Sequence, residues 1–352
     1  MGRVPLLGLV AFVAAVFALC PLEGAENPIV PEGARLELVF TRSLPIKGGL
    51  TEGPAVAPDG SIYFSDIPFG ADTGKIMRFD PNTMRTTVFV SDSFKSNGLM
   101  FDARGYLIAC EGSDGGGRRV SRWDVTTKKR ETIADRYQGK RFNAPNDLSI
   151  DRKGRIYFTD PRYLGTEPRE LTYRAVYRID TDGSVIEVTH DVEKPNGIAI
   201  SPDQQTLYVA DHNNGTDRID PAAPPPRKGA MKVYAFPLGP DGLVRGPRRT
   251  LVDFGDEEGS DGMTVDSQGN IYLAVRSLHR PGVKVIDRNG KELAFIATGP
   301  PQPGVKDPVG VPSNCEFGIG GDKNVLYITV DKSLYRIRLQ STGFHIPWVG
   351  SK

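Results

Sequence analysis

One polar residue recurs at an equivalent place in six copies of a single sequence unit. The copies are TEGPAVAPDGSIYFSD, SNGLMFDARGYLIACE, PNDLSIDRKGRIYFTD, PNGIAISPDQQTLYVAD, SDGMTVDSQGNIYLAV and SNCEFGIGGDKNVLYITV. Aligned, they place Glu52, Asn97, Asn146, Asn196, Asp261 and Asn314 in one slot, with steps of 45, 49, 50, 65 and 53 residues. Each unit opens with a polar pair and continues as a short alternating strand, a Gly-containing turn and a more apolar strand. Two further strands follow. Alternation with period two, Asp-Gly turns and close spacing specify antiparallel hairpins and leave no helical segment of useful length. Units of roughly 40–50 residues built from short strands specify a β-propeller. The chain is therefore expected to be all-β, a six-bladed β-propeller with four-stranded antiparallel blades.

A propeller must close its ring. Arg35–Phe40 precedes the first unit and reads as a lone strand, whereas the last unit ends at Ser333–Arg338. We expect the N-terminal strand to complete the last blade, which leaves no sheet edge open there. The 40 Gly and 28 Pro of the chain suit a fold that turns every few residues. Its formal net charge of +1 argues against a nucleic-acid partner, which would need a basic excess.

The first 25 residues read as a cleaved export signal. Arg3 supplies the positive end, Leu6–Leu19 the apolar stretch, and Gly24 and Ala25 a small-residue cleavage neighbourhood. Residues 26–352 then form the single propeller domain. The expected localisation is periplasmic or extracellular, with no stable membrane association after signal removal. Cys20 leaves with the signal. Cys110 and Cys315 fall in units that are not neighbours in a six-blade ring, and are expected to be buried thiols, not a disulfide.

In a propeller, equivalent positions converge on the central axis. Two carboxylates and four amides would then ring the channel, with no Cys or His among them. An all-oxygen donor set selects a hard cation, calcium first. Asn-Gly and Asp-Gly are also ordinary turn pairs. Glu52 in the slot held elsewhere by Asn, and followed by Gly53, is explained by oxygen ligation better than by turn chemistry. Four units end their second strand in a carboxylate, Asp66, Glu111, Asp160 and Asp211, and these read as caps for turn amides. The long step between Asn196 and Asp261 holds Asn213–Asp217 and the Pro-rich tract 221–226, either a wall or lid near the site or a plain surface excursion.

The segments Glu52-Gly-Pro, Pro145-Asn-Asp, Pro195-Asn-Gly and Ser260-Asp-Gly-Met, each followed by its strand pair, resemble the gluconolactonase/regucalcin (senescence marker protein) family of calcium-dependent six-bladed propellers. The likeness spans roughly residues 35–340. It implies one divalent metal held by Glu52, Asn146, Asn196 and Asp261, with calcium preferred and zinc, magnesium or manganese as alternatives. It implies hydrolysis of a lactone, with organophosphate esters in related branches. A channel metal with an open position can polarise a lactone carbonyl. Asp261 is then the expected general base toward water, a direct nucleophilic role being the lesser option. Asn97, Asn143, Arg162 and His212 are the candidate substrate contacts, with Tyr163 and His279 near the same face. The expected partner is a small lactone or ester, bound by a monomer or weak homo-oligomer. A non-catalytic propeller that uses its metal only for rigidity is the competing class.

Overall fold

The structure is a computed structural model that describes residues 28–349 apart from 43–48, 69, 71, 218–221, 223 and 307–308. The expected export signal lies outside the described residues.

Among the described residues, twenty-six strands and a single 3-10 turn make up the fold. The innermost strands of blades one to six are β2 (Leu50–Val56), β6 (Ser96–Phe101), β12 (Leu148–Ile150), β16 (Pro195–Ile200), β20 (Ser260–Val265) and β24 (Pro312–Phe317). The first five blades each run outward through four consecutive antiparallel strands. Blade six is completed by β1 (Glu37–Thr41), which pairs antiparallel with β26 (Ser333–Arg338), joining Leu38 to Tyr335 and Thr41 to Ser333. Ring closure by the N-terminal strand is therefore as the sequence implies. Outside the blades, β10 (Arg136–Tyr137) and β11 (Lys140–Arg141) form a small hairpin.

Alternation along the strands puts apolar side chains on both faces of each blade, and every blade buries them against its two neighbours. The result is six apolar clusters, one per blade-to-blade interface. Tyr63, Leu99 and Trp123 lie between blades one and two, and Cys110, Phe158 and Tyr177 between two and three. Tyr157, Val209 and Phe236 fill the next interface, and Tyr208, Met263 and Leu273 the one after. Tyr272, Cys315 and Phe317 join blades five and six, and Phe64, Phe79 and Tyr327 join six to one. No blade owns a core of its own, so each depends on its neighbours for burial. Cys110 and Cys315 are buried free thiols in different interfaces.

The inner strands crowd at the axis. A Cβ on Gly98 would lie 2.4 Å from Asp147 Oδ1, and one on Gly262 would lie 2.0 Å from the Asn314 side chain. The Gly that follows the marked residue in four units is thus a packing requirement. The C-terminal segment 341–349 crosses the far end of the channel. It is pinned by Phe344 N–H to Val265 O (3.2 Å) and Val349 N–H to Ala103 O (2.7 Å). Phe344, Ile346 and Trp348 pack against three different interface clusters. The channel is therefore stoppered at that end.

Candidate functional site

Five inner strands carry a register irregularity at the marked residue: Glu52/Ala55, Ser96/Leu99, Pro195/Ile198, Ser260/Met263 and Pro312/Asn314. A bulge spares residues from the ladder and re-aims their side chains. Hydroxyls on second strands brace the bulged backbone of the next blade: Ser65 Oγ donates to Asn97 O and Thr159 Oγ1 to Asn196 O, both at 2.8 Å.

Glu52, Asn97, Asn146, Asn196 and Asp261 converge on one cavity of about 260 Å³. Asn314 does not join them. Its amide donates to Asp147 Oδ2 (3.2 Å), and its oxygen accepts from Cys315 N–H (2.8 Å). The reason is Asp147, which stands where four other units have Gly, so that a carboxylate enters the axis and takes the Asn314 amide. The expected ring of six is therefore five cavity-lining residues above an Asn314–Asp147 pair.

Glu52 is only 3% exposed and accepts the Gly53 N–H at 2.8 Å. Burial first, then the nearby Asp261 and Asp147, push its carboxyl well above the ordinary range. Asp147 is pushed up to about 7 by burial. Carboxylates gathered without enough positive charge favour a bound cation. Asp261 has one counter-charge: Arg276 Nη1 donates to its Oδ2 at 3.1 Å. Arg276 occupies the strand-end slot that holds a carboxylate in most units, and that departure was the sequence signal for it.

Among the described residues, no three or more His, Cys, Asp or Glu gather as a metal cluster. The donors that do gather are two carboxylates and carboxamides, which suits calcium or magnesium and not a structural zinc. Glu52, Asn146, Asn196 and Asp261 fit such an ion, because buried carboxylate repulsion is what it would relieve.

The other candidates divide. His212 lines the cavity, with Nδ1 3.2 Å from Ser260 O and Nε2 3.4 Å from Glu258 Oε2. Hydrogen bonding to His212 is the largest cause that holds the Glu258 carboxyl down to about 2. Asn143 is fully buried behind the wall, where it donates to Tyr173 O (3.0 Å) and accepts from Arg169 Nη1 (2.6 Å). Arg162 is also outside the cavity lining. It donates to Asp217 Oδ1 (2.8 Å) and Glu167 O (2.6 Å). Arg169 and Arg174 grip the same Asp217 carboxylate, so Arg162 belongs to an internal tie. His279 is exposed and faces Glu257. Of the loop tips, Asn214 reaches the cavity, beside Thr216. Residues 213–217 thus form a wall held by Asp217 and by Lys194, whose amine meets Asn214 Oδ1 (2.9 Å) and Thr216 Oγ1 (2.8 Å). Burial is the main cause that lowers the Lys194 amine to about 7.

The strand-end carboxylates cap turns in two blades, as expected. Asp160 accepts from Asn143 and Ala144 N–H, and Asp211 from Glu193 and Lys194 N–H. Asp66 and Glu111 are instead neutralised by arginines, Asp66 by Arg42 and Glu111 by Arg119 and Arg130. Lys95 and Tyr163 also line the cavity, and its apolar lining comes from Leu50, Ile67 and Pro68 of blade one and Leu164 of the loop after the second strand of blade three. Tyr163 was expected near this face; the sequence gives little notice of the others, because they are set by loop paths.

Residues 50–332 match the model of the family described as SMP-30/Gluconolactonase/LRE-like region. A gluconolactonase of Zymomonas mobilis is 29% identical over 339 residues, covering 88% of this chain and 85% of its own. A pentonolactonase of Haloferax volcanii is 28% identical over 239 residues, covering 67% and 70%. The solved structure of a gluconolactonase from Xanthomonas campestris superposes with a TM-score of 0.68 at 29% identity, covering 87% of this chain and 89% of that one.

Proposed function

Because this chain belongs to the SMP-30/gluconolactonase/LRE-like family, we propose that it is a hydrolase that opens a sugar lactone with the help of one divalent cation, calcium by preference. The observation that carries the reading is the convergence of Glu52 and Asp261 with the Asn146 and Asn196 carboxamides at one cavity. Those four residues would hold the ion. Bound there, it would supply Lewis-acid polarisation of the lactone carbonyl.

The remaining work falls to side chains. Asn97, His212 and Asn214 line the cavity and are assigned to hydrogen-bond ring hydroxyls of a substrate. Asp261 is assigned to take the proton from the attacking water and to return it to the ring oxygen as the acyl C–O bond breaks. Arg276 engages its Oδ2, which leaves Oδ1 as the oxygen that would hold the ion. In this scheme Arg276 turns its hydrogen bond from Oδ2 toward the bound substrate before attack, and so frees Oδ2 to act as the base. The stoppered far end leaves one mouth for substrate, product and water. The apolar part of the lining supports a second reading, a lactone or ester with a hydrocarbon substituent packed against Leu50, Ile67 and Leu164.

The test is hydrolysis of glucono-δ-lactone after chelation and again with calcium, magnesium, manganese or zinc restored. Turnover that disappears with chelator and returns with one ion supports the reading and names the metal. Turnover unaffected by chelation removes the metal from it. A preference for alkyl-substituted lactones selects the second reading.

A further inference from the structure

The Asn196 carboxamide is useful to a cation only if its oxygen, and not its NH2, faces the cavity. Tyr163 decides which end does so. Its hydroxyl donates to His212 O at 3.1 Å, and a carbonyl can only accept. The single phenolic hydrogen is thereby used. Toward Asn196 the phenol oxygen can only accept, and Asn196 Nδ2 donates to it at 3.0 Å. The amide nitrogen is held on the tyrosine, so Oδ1 is turned the other way, into the channel.

The ring itself is held. Lys194 Nζ lies 4.2 Å from its centroid, and the same amine is tied to Asn214 Oδ1, Thr216 Oγ1 and Thr216 O. The 213–217 wall, Lys194, Tyr163 and Asn196 thus form one connected support.

We propose that Tyr163 is the positioning residue of the cation site, fixing the Asn196 carboxamide with its oxygen toward the ion. The proposal rests on the metal reading above, and assigns to that site a support from a loop outside the marked repeat positions. Partners behind a ligand commonly tune metal affinity by about 10–100-fold.

The experiment is calcium titration by calorimetry of the chelator-stripped full chain, with thermal melts of the metal-free forms. Tyr163→Phe keeps the ring over Lys194 and removes only the hydroxyl. It should weaken calcium binding by about 10–100-fold with the metal-free melting temperature little changed, and turnover should return at excess calcium. Tyr163→Phe combined with Asn196→Asp is the second arm. Aspartate has an oxygen on either branch, so its orientation no longer matters and affinity should recover. Affinity equal to wild type in Tyr163→Phe overturns the proposal while the metal reading stands. A loss that Asn196→Asp does not recover marks a general packing role, and also overturns it. Wild-type protein that binds none of calcium, magnesium, manganese and zinc would instead refute the metal reading itself, and the proposal with it.

Discussion

Glu316 offers a perturbation whose size can be worked from its surroundings. It lies on β24 at the stoppered end of the channel, 8% exposed, among residues that include His345 and Trp348 of the C-terminal segment. Burial is the main cause that pushes its carboxyl from the ordinary 4.5 up to about 8. Thr264 Oγ1 (3.0 Å) and Phe317 N–H (2.7 Å) both donate to Oε1 and oppose that shift without cancelling it. The folded state then keeps a proton that the unfolded chain releases between pH 4.5 and 8. Stability therefore falls as pH rises through that window and levels off above it. At 1.36 kcal/mol per pH step, the gap between 4.5 and 8 corresponds to at most about 5 kcal/mol lost by pH 9. Glu316→Gln keeps an acceptor at Oε1 and has no proton to lose. It should match wild type near pH 4 and exceed it by several kcal/mol at pH 9. Urea unfolding at pH 4.5, 7 and 9, with chelator present throughout, measures this directly. Parallel stability curves for the two proteins across that range would refute the reasoning. They would show that Glu316 ionises in the fold without cost, because water or the C-terminal segment accommodates its charge.

The other expectations are briefer. Glu52→Gln should abolish the calcium-dependent rise in melting temperature, which for wild type at a hundredfold excess over Kd corresponds to about 2.7 kcal/mol; a preserved rise would place the ion elsewhere. Asp261→Asn should keep the fold, since an amide oxygen can still accept from Arg276, and lower kcat by about 10²–10⁴-fold; near-normal turnover in a steady-state assay would remove Asp261 from the chemistry. Gly98→Ala drives a Cβ to 2.7 Å from Asp147 Cα and should cost about 1–3 kcal/mol in denaturant unfolding. An unchanged midpoint would mean that blades two and three can separate at the axis. His345, half-buried and lowered to about 4 mainly by desolvation, should contribute a loss of stability as pH falls from 6.5 to 4, absent in His345→Gln.

Several site residues were legible because they sit at repeated positions. Glu52, Asn97, Asn146, Asn196 and Asp261 share one slot of a repeat, and repetition converts a sequence slot into a place on the axis. The same logic failed for Asn314, because the repeat does not report what a neighbouring blade places opposite it. Asp147, in a slot otherwise mostly Gly, claims its amide. Arg276 was visible only as a break in the pattern of strand-end carboxylates. Tyr163 was placed near the site by its position just after the strand-end Asp160, whereas Lys95 stands beside a loop, where no period applies. Asn143 and Arg162 are polar residues near the expected site in sequence, yet both are consumed by buried hydrogen bonds and ion pairs.

What the amino-acid order alone determined is the periodic part of this protein. Strand alternation, turn residues and six copies of one unit dictate a ring of blades, because no blade can bury its faces alone and the lone N-terminal strand fills the last edge. What only the tertiary structure decided is everything that depends on contacts between different units. The turn of Asn314 away from the cavity, the Arg276–Asp261 pair, the Tyr163 hydroxyl behind Asn196 and the C-terminal stopper are all of this kind. Side-chain direction near the axis is set by hydrogen-bond partners that are tens to hundreds of residues away along the chain, and local pattern carries no record of them.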